Sequence, residues 1–309
     1  MNDMERYRHL NEYYKKKFGE RTLKICVDGG FTCPNRDGKL GYGGCIYCSE
    51  KGSGELINQA ENITKQVENY FKSYRAQRAN KFIVYFQNFT NTYDSIENLK
   101  KKYDSALIDD RIIGLEIGTR PDCINEKIAK LLHSYKDKYY VCVELGLQTS
   151  NDRIGKKINR CYTSKDFTKA VKILNKYDID IVAHIMVGLP DETHDDVMAT
   201  VEFLNNHNIQ GVKIHSTYVV ENTKLAEMYR TGEYKALDLD YYIETLIDIL
   251  THLNPNFIIY RISGDAPKDI LVAPYWNAHK MWILHDFERR FRARDLWQGK
   301  YYTKKEQGI

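Results

Sequence analysis

No apolar run in this sequence approaches the roughly 20 residues that cross a bilayer, which argues against a membrane-spanning helix. Residues 1–21, MNDMERYRHLNEYYKKKFGER, are charged throughout and lack the apolar centre of a secretory signal. A cytoplasmic chain with no membrane partner is expected. Neither sign of charge dominates: 46 Lys and Arg against 42 Asp and Glu leave +4 at pH 7, which permits a polyanionic partner without requiring one. Low-complexity linkers are lacking, as are internal repeats beyond a β/α alternation and any appended RNA-binding module. The seven cysteines are an odd number, and Cys26, Cys123, Cys142 and Cys161 stand alone, so no disulfide framework is expected. What is present, 309 residues at 42% hydrophobic content, suffices to bury one large α/β core.

Apolar, β-branched runs alternate with helical spacings. Strands are expected at 23–27, 81–87, 111–118, 139–148, 178–190 and 211–220. Helices are expected at 58–78, 95–104, 124–135, 164–177 and 191–208. Such a succession argues for parallel strands with right-handed crossovers, in an open sheet or in a full or partial barrel. Either way, ligands gather at the C-terminal ends of the strands. Beyond 221 the pattern changes to a helix at 238–253, a short strand at 256–262 and a tail rich in Trp, Tyr and Arg. Two parts are expected: a barrel over 1–220 that includes the basic N-terminal segment, and an extension over 221–309 packed on it, with RNA contacts in view.

Directly after the first strand comes GGFTCPNRDGKLGYGGCIYCSEKGSGE (29–55), with three cysteines and many glycines. A closed structural zinc site takes four Cys or His ligands, mostly in two pairs. Here Cys45 and Cys48 form one pair, Cys33 lies upstream, and no histidine is near; Cys26 is the remaining thiol that could complete a zinc site. Three thiolates on a four-iron cluster instead leave one iron open for a reactant, and glycines let the backbone wrap a bulky inorganic centre.

This loop, with YFQNFTNTY (85–93), GLEIGTRPDC (114–123), VELGLQTSND (143–152), INR (158–160) and HIMVGLPDET (184–193), resembles the radical S-adenosylmethionine (SAM) superfamily, in particular its YtqA/YhcC-type group related to Elp3-like enzymes. The resemblance extends through 261–276 and the late Trp-Gln-Gly. It implies a partial (β/α)6 TIM-type barrel with a C-terminal extension, a [4Fe-4S] cluster on Cys33, Cys45 and Cys48, and SAM on the open iron. A reductase such as flavodoxin or ferredoxin would supply the electron. The same resemblance implies SAM contacts at Tyr47 (adenine), Gln87 (the amine), Thr119 with Arg120 at the barrel mouth, Gln148, Arg160 (the carboxylate, as a bidentate fork), His184 (the ribose) and Gly188 (close approach to adenine). Four have a plainer structural reading as well: packing for Tyr47, a hydrogen-bonded strand end for Gln87, a salt bridge for Arg160, a satisfied core imidazole for His184. Cys161-Tyr162 stands where many relatives have Gly-His; Cys161 is expected to be a buried, inert thiol, with reach into the active site as the alternative.

Basic residues with interleaved aromatics at 288–305, and the basic run 15–21, suit a phosphate backbone and stacked bases. The YtqA-type group is similar to the enzymes called MnmL, which implies a tRNA partner. The implied step converts 5-carboxymethylaminomethyl-(2-thio)uridine to 5-aminomethyl-(2-thio)uridine at the wobble position, upstream of a methyltransferase. The alternatives are radical modification of another RNA base or a small molecule, and a zinc-stabilised RNA-binding protein without catalysis.

Overall fold

Parallel strands buried on both faces need nearly continuous apolar sequence, and the runs above provide it. The computed structural model describes residues 6–52 and 61–304. Helix α1 (Leu10–Phe18) precedes β1 (Thr22–Val27), α2 (Ile63–Lys72), β2 (Lys81–Phe86), α3 (Ile96–Asp104), β3 (Ile112–Thr119) and α4 (Glu126–His133). Next come β4 (Tyr140–Gln148), α5 (Asp152–Lys157), α6 (Ser164–Lys176), β5 (Asp180–Val187), α7 (His194–Asn205) and β6 (Gly211–Ser216). The remainder is β7 (Val219–Val220), α8 (Lys224–Thr231), α9 (Leu239–His252), β8 (Ile258–Arg261), β9 (Leu271–Ala273) and α10 (Lys280–Ala293). Helices α6 and α7 each open with a capping box, Thr163 with Asp166 and Thr193 with Asp196. The helix expected over 58–78 is shorter. It stops at Ser73, whose backbone is extended, and a separate 3-10 turn covers 76–78. Residues 53–55 of the glycine-rich loop and 58–60 of that helix lie outside the described residues.

The main sheet is entirely parallel, in the order β1-β2-β3-β4-β5-β6-β8. It is a partial barrel, with one strand more than the six expected. The seventh comes from the short 256–262 run, because the edge of β6 needs a partner for its backbone donors and acceptors. Strands β7 and β9 form a separate antiparallel pair. The sheet is strongly curled. Lys24 on β1 reaches Glu144 on β4 at 2.9 Å, although three strand spacings would separate them by roughly 14 Å in a flat sheet. Helix α1 packs against both β1 and β8, and His9 bridges to Ile259, so the open side is covered.

Outward-facing Ile25, Val84, Leu115, Val143, Ile181 and Val212 are fully buried beneath the helices. A second, smaller core lies at the C-terminal ends of the strands. There Ile46 of the cysteine loop meets Ile154, Ile158, Leu189, Val219, Leu225 and Ala273. That core fixes the loop over the barrel mouth. Among the described residues, no helix is long and apolar enough to cross a membrane.

Candidate active site

The cysteine loop is anchored at its root by Asp28, which accepts the Gly30 N–H at 2.7 Å and an amide hydrogen of Asn88, while its own N–H donates to Gln66. The Cys48 N–H donates to the Cys45 carbonyl at 3.0 Å, making one tight turn of the C-x-x-C pair. The Arg36 N–H donates to the Cys33 carbonyl, and its guanidinium donates to the carbonyls of Cys48 and Ser49. One arginine thus ties both ends of the cysteine set together. Gly43 and Gly44 precede Cys45 with φ of 78° and 80°, a conformation that suits glycine. Buried Asn35 sits beneath, donating to the Asn159 carbonyl and standing 3.8 Å from Cys45 Sγ.

Burial, and then the neighbouring Cys48, push the Cys45 thiol up to about 12. A positively charged metal centre is what would draw its proton off. Among the described residues, no three His, Cys, Asp or Glu close round a point as a single metal ion requires. Cys26 does not join the loop thiols; it lies on the inner face of β1 near Lys213, Lys24 and Glu144. A soft, all-sulfur donor set of three fits an iron–sulfur cluster that keeps one iron open.

The other expected residues divide into two groups. Arg120 stands at the loop, its Nη1 3.9 Å from Cys33 Sγ, paired bidentately with Asp122 and lying over the Tyr162 ring. Tyr47 is half-buried against the small core, and burial with the adjacent Cys45 and Cys48 keeps its phenol protonated. Thr119 ends β3 and shares a 2.7 Å hydrogen bond with Thr92. Gln87 follows β2, donating its N–H to Val27. Gln148 ends β4 at a register shift with φ of 67°. Gly188 follows β5 with φ of 89°, and a Cβ there would lie 2.5 Å from Leu237. All of these stand at or just beyond C-terminal strand ends.

Two residues are engaged by the protein's own groups. Arg160 is fully buried. Its guanidinium donates to the carbonyls of Leu147, Thr149 and Tyr162 and pairs with Asp152 at 2.5 Å, stapling the β4 exit to the INR turn. His184 points into the barrel, Nε2 on Glu144 at 2.6 Å. Cys161, expected to be buried, is exposed; its thiol donates to Asn35 at 3.1 Å, from a residue with φ of 61° that turns the side chain towards the cysteine loop.

Sequence reasoning missed the charged network inside the barrel. Fully buried Glu144 receives Lys24 at 2.9 Å, Lys213 at 2.7 Å and His184. Lys24 also pairs with fully buried Glu116, to which the Tyr14 hydroxyl donates. Lys213 reaches the Tyr85 hydroxyl at 3.2 Å. Burial works against ionised Glu144, but Lys213, Lys24 and His184 together hold its carboxyl well below the usual range. Burial pushes Glu116 up to about 7 despite Lys24. Burial, then Lys213, push His184 down to about 4, so the imidazole is neutral. The signal was present: four of the strands place a charged residue between apolar neighbours, in L-K-I, L-E-I, V-E-L and V-K-I, on the face opposite the core.

Residues 33–204 match the family model described as the radical SAM superfamily, and residues 209–293 match its C-terminal domain. The chain is 34% identical to the uncharacterised protein YtqA of Bacillus subtilis, over 99% of this chain and 96% of that one. It is 37% identical to the uncharacterised protein MJ0486 of Methanocaldococcus jannaschii, over 93% and 89%. The solved archaeal Elp3 of Methanocaldococcus infernus shares the fold with a TM-score of 0.66 at 19% identity; the match covers 90% of this chain and 64% of that one.

Proposed function

The chain belongs to the radical SAM superfamily, and from that premise we propose that it modifies the wobble uridine of tRNA, converting 5-carboxymethylaminomethyl-(2-thio)uridine to 5-aminomethyl-(2-thio)uridine. The observation that carries the reading is the placement of three loop thiols over a barrel mouth whose interior holds two lysines around one firmly ionised glutamate. Cys33, Cys45 and Cys48 would hold a [4Fe-4S] cluster and leave one iron for SAM, with Tyr47, Gln87, Thr119, Gln148 and Gly188 forming the rim around it. Bound there, SAM would supply the 5′-deoxyadenosyl radical chemistry that removes a hydrogen atom from a substrate.

The chain's own residues bind and orient. Lys24 and Lys213 share Glu144, and Glu116 titrates near neutrality, so the interior is short of negative charge and suits the carboxylate of the carboxymethylaminomethyl group. Loss of the methylene hydrogen atom, and of one electron to a one-electron acceptor, leaves an imine. Water then cleaves it to the free amine and glyoxylate, and the amine passes to a methyltransferase. The sequence resemblance of the YtqA-type group to the enzymes called MnmL favours this substrate. A flavodoxin or ferredoxin would deliver the priming electron.

Two measurements test the reading. Anaerobically reconstituted protein is expected to hold about four irons per chain and to form 5′-deoxyadenosine with SAM and dithionite; a Cys45→Ala/Cys48→Ala variant is expected to do neither. Stoichiometric zinc without 5′-deoxyadenosine would overturn the radical chemistry. In tRNA from a deletion strain the carboxymethylaminomethyl nucleoside should accumulate, and deuterium placed on its methylene should appear in 5′-deoxyadenosine. An unchanged nucleoside profile removes the wobble substrate and leaves another RNA base or a small molecule.

A further inference from the structure

The tail that looks most suited to RNA in the sequence, 288–305, has much of its positive charge already neutralised. Arg290 pairs with Asp240, Glu244 and Asp286, Arg294 with Glu244, and Arg289 with Asp286. The unusual surface lies earlier. Tyr275 is 71% exposed, Met281 70% and Trp282 51%. Their rings are already organised: His279 and Trp282 stack with centroids 4.0 Å apart and planes 11° apart, and Tyr275 stands 4.7 Å from His279.

This group is fixed at the rim of the barrel mouth. Asn277 donates to Ser216, the last residue of β6, at 2.7 Å. Trp276 anchors the segment from below, stacked on Tyr242 and donating to the Leu237 carbonyl. Ala273, two residues before Tyr275, belongs to the same small core as Ile46 of the cysteine loop. Charge beside the rings is positive, because Lys280 and Arg261 share the single carboxylate of Asp265.

We infer that Tyr275, His279 and Trp282 form a stacking platform for an unpaired nucleobase of the RNA substrate, beside the base that enters the barrel. The inference rests on the RNA reading above and names the surface that reading lacks. Stacked aromatic rings with neighbouring cations match a base and its phosphates. Three exposed side chains are too few for the ~1,600 Å² of a stable protein interface.

The test is fluorescence anisotropy with the full-length reconstituted protein and two labelled synthetic RNAs, a hairpin with an unpaired loop and a blunt duplex of the same stem. Trp282→Ala and Tyr275→Ala should each weaken hairpin binding about tenfold or more, since a stacked base contributes roughly 1–3 kcal/mol. Trp282→Phe should recover most of the loss, and duplex affinity should not move. If the wild type does not prefer the hairpin, the RNA reading and the platform both fall. If it prefers the hairpin and both alanine variants keep that preference, the platform alone falls. Equal loss on hairpin and duplex overturns it as well, as a general effect on charge or fold that circular dichroism and thermal unfolding would locate.

Discussion

Glu144 carries three cationic or imidazole partners from three different strands while fully buried. A charge so placed is tolerated only because its partners are complete, and removing one member strands the rest. Glu144→Gln should therefore lower stability by about 3–5 kcal/mol, read as a reduced urea midpoint at unchanged slope. Adding Lys213→Met should return part of that loss, because it removes one of the cations left without its counter-charge. Glu192 presents the opposite case. Its carboxylate accepts the N–H groups of Gly188 and Leu189, yet burial outweighs both and pushes it up from 4.5 to about 8. A carboxyl raised in the folded state contributes stability below its unfolded value and loses it as pH climbs through the folded one. Glu116, near 7, acts in the same direction. His184, held down to about 4, works the other way below its ordinary 6.5, so the melting temperature should fall from about pH 6.5 to 9, and Glu192→Gln, whose amide oxygen still accepts both N–H groups, should flatten that fall by a few degrees. A variant with the wild-type pH profile would show that Glu192 is not its source.

At the scale of elements, the cysteine loop depends on backbone conformation as much as on its ligands. A Cβ on Gly44 would lie 2.8 Å from the Arg36 side chain, at a φ that side chains rarely adopt. Arg36 is the tie between Cys33 and Cys48, so Gly44→Ala should cut iron bound per chain well below the wild type while the thermal midpoint of iron-free protein changes little. The iron assay checks it, and full iron content would show that the loop tolerates the strain. The six major strands were legible because apolar and β-branched residues dominate runs such as LKICV and GVKIHS, despite the charged residue that interrupts them. Strand β8 was legible as a strand but not as a member of the sheet, since β7, α8 and α9 intervene and periodicity carries no strand order. That three of the thiols share one loop could be read plainly from the sequence. Arg160 could not: the carbonyls that engage it come from the β4 exit, where Gln148 turns to positive φ, and no local spacing announces that turn. Nor could the pairing of Lys24 with Glu144, which exists only because the sheet curls.

The whole molecule closes through its two chain ends. A partial barrel leaves β1 and β8 as open edges, and α1 with the segment before it fills the gap between them. What holds that filler is the C-terminal tail. Gln298, 5% exposed, accepts the Arg8 N–H at 3.0 Å and donates its amide to the carbonyls of Asn254 and Phe257, while its own N–H goes to the Arg6 carbonyl. Arg6 in turn reaches Asp295 and the Leu296 carbonyl. One glutamine therefore joins the N-terminal segment, the loop leading into β8 and the tail. Gln298→Ala would leave the Arg8 N–H and the Phe257 carbonyl without that partner, while the Asn254 carbonyl keeps the Phe257 N–H, at about 1–3 kcal/mol for a buried polar group so stranded. The expected outcome is a loss of about that size in urea unfolding, together with faster hydrogen exchange in the 6–18 and 258–261 segments and unaltered exchange at the cysteine loop. Uniform loosening of the whole chain would place the stitch elsewhere. Confinement to the two edges would mean that the barrel is closed at its seam by the tail, independently of the chemistry at its mouth.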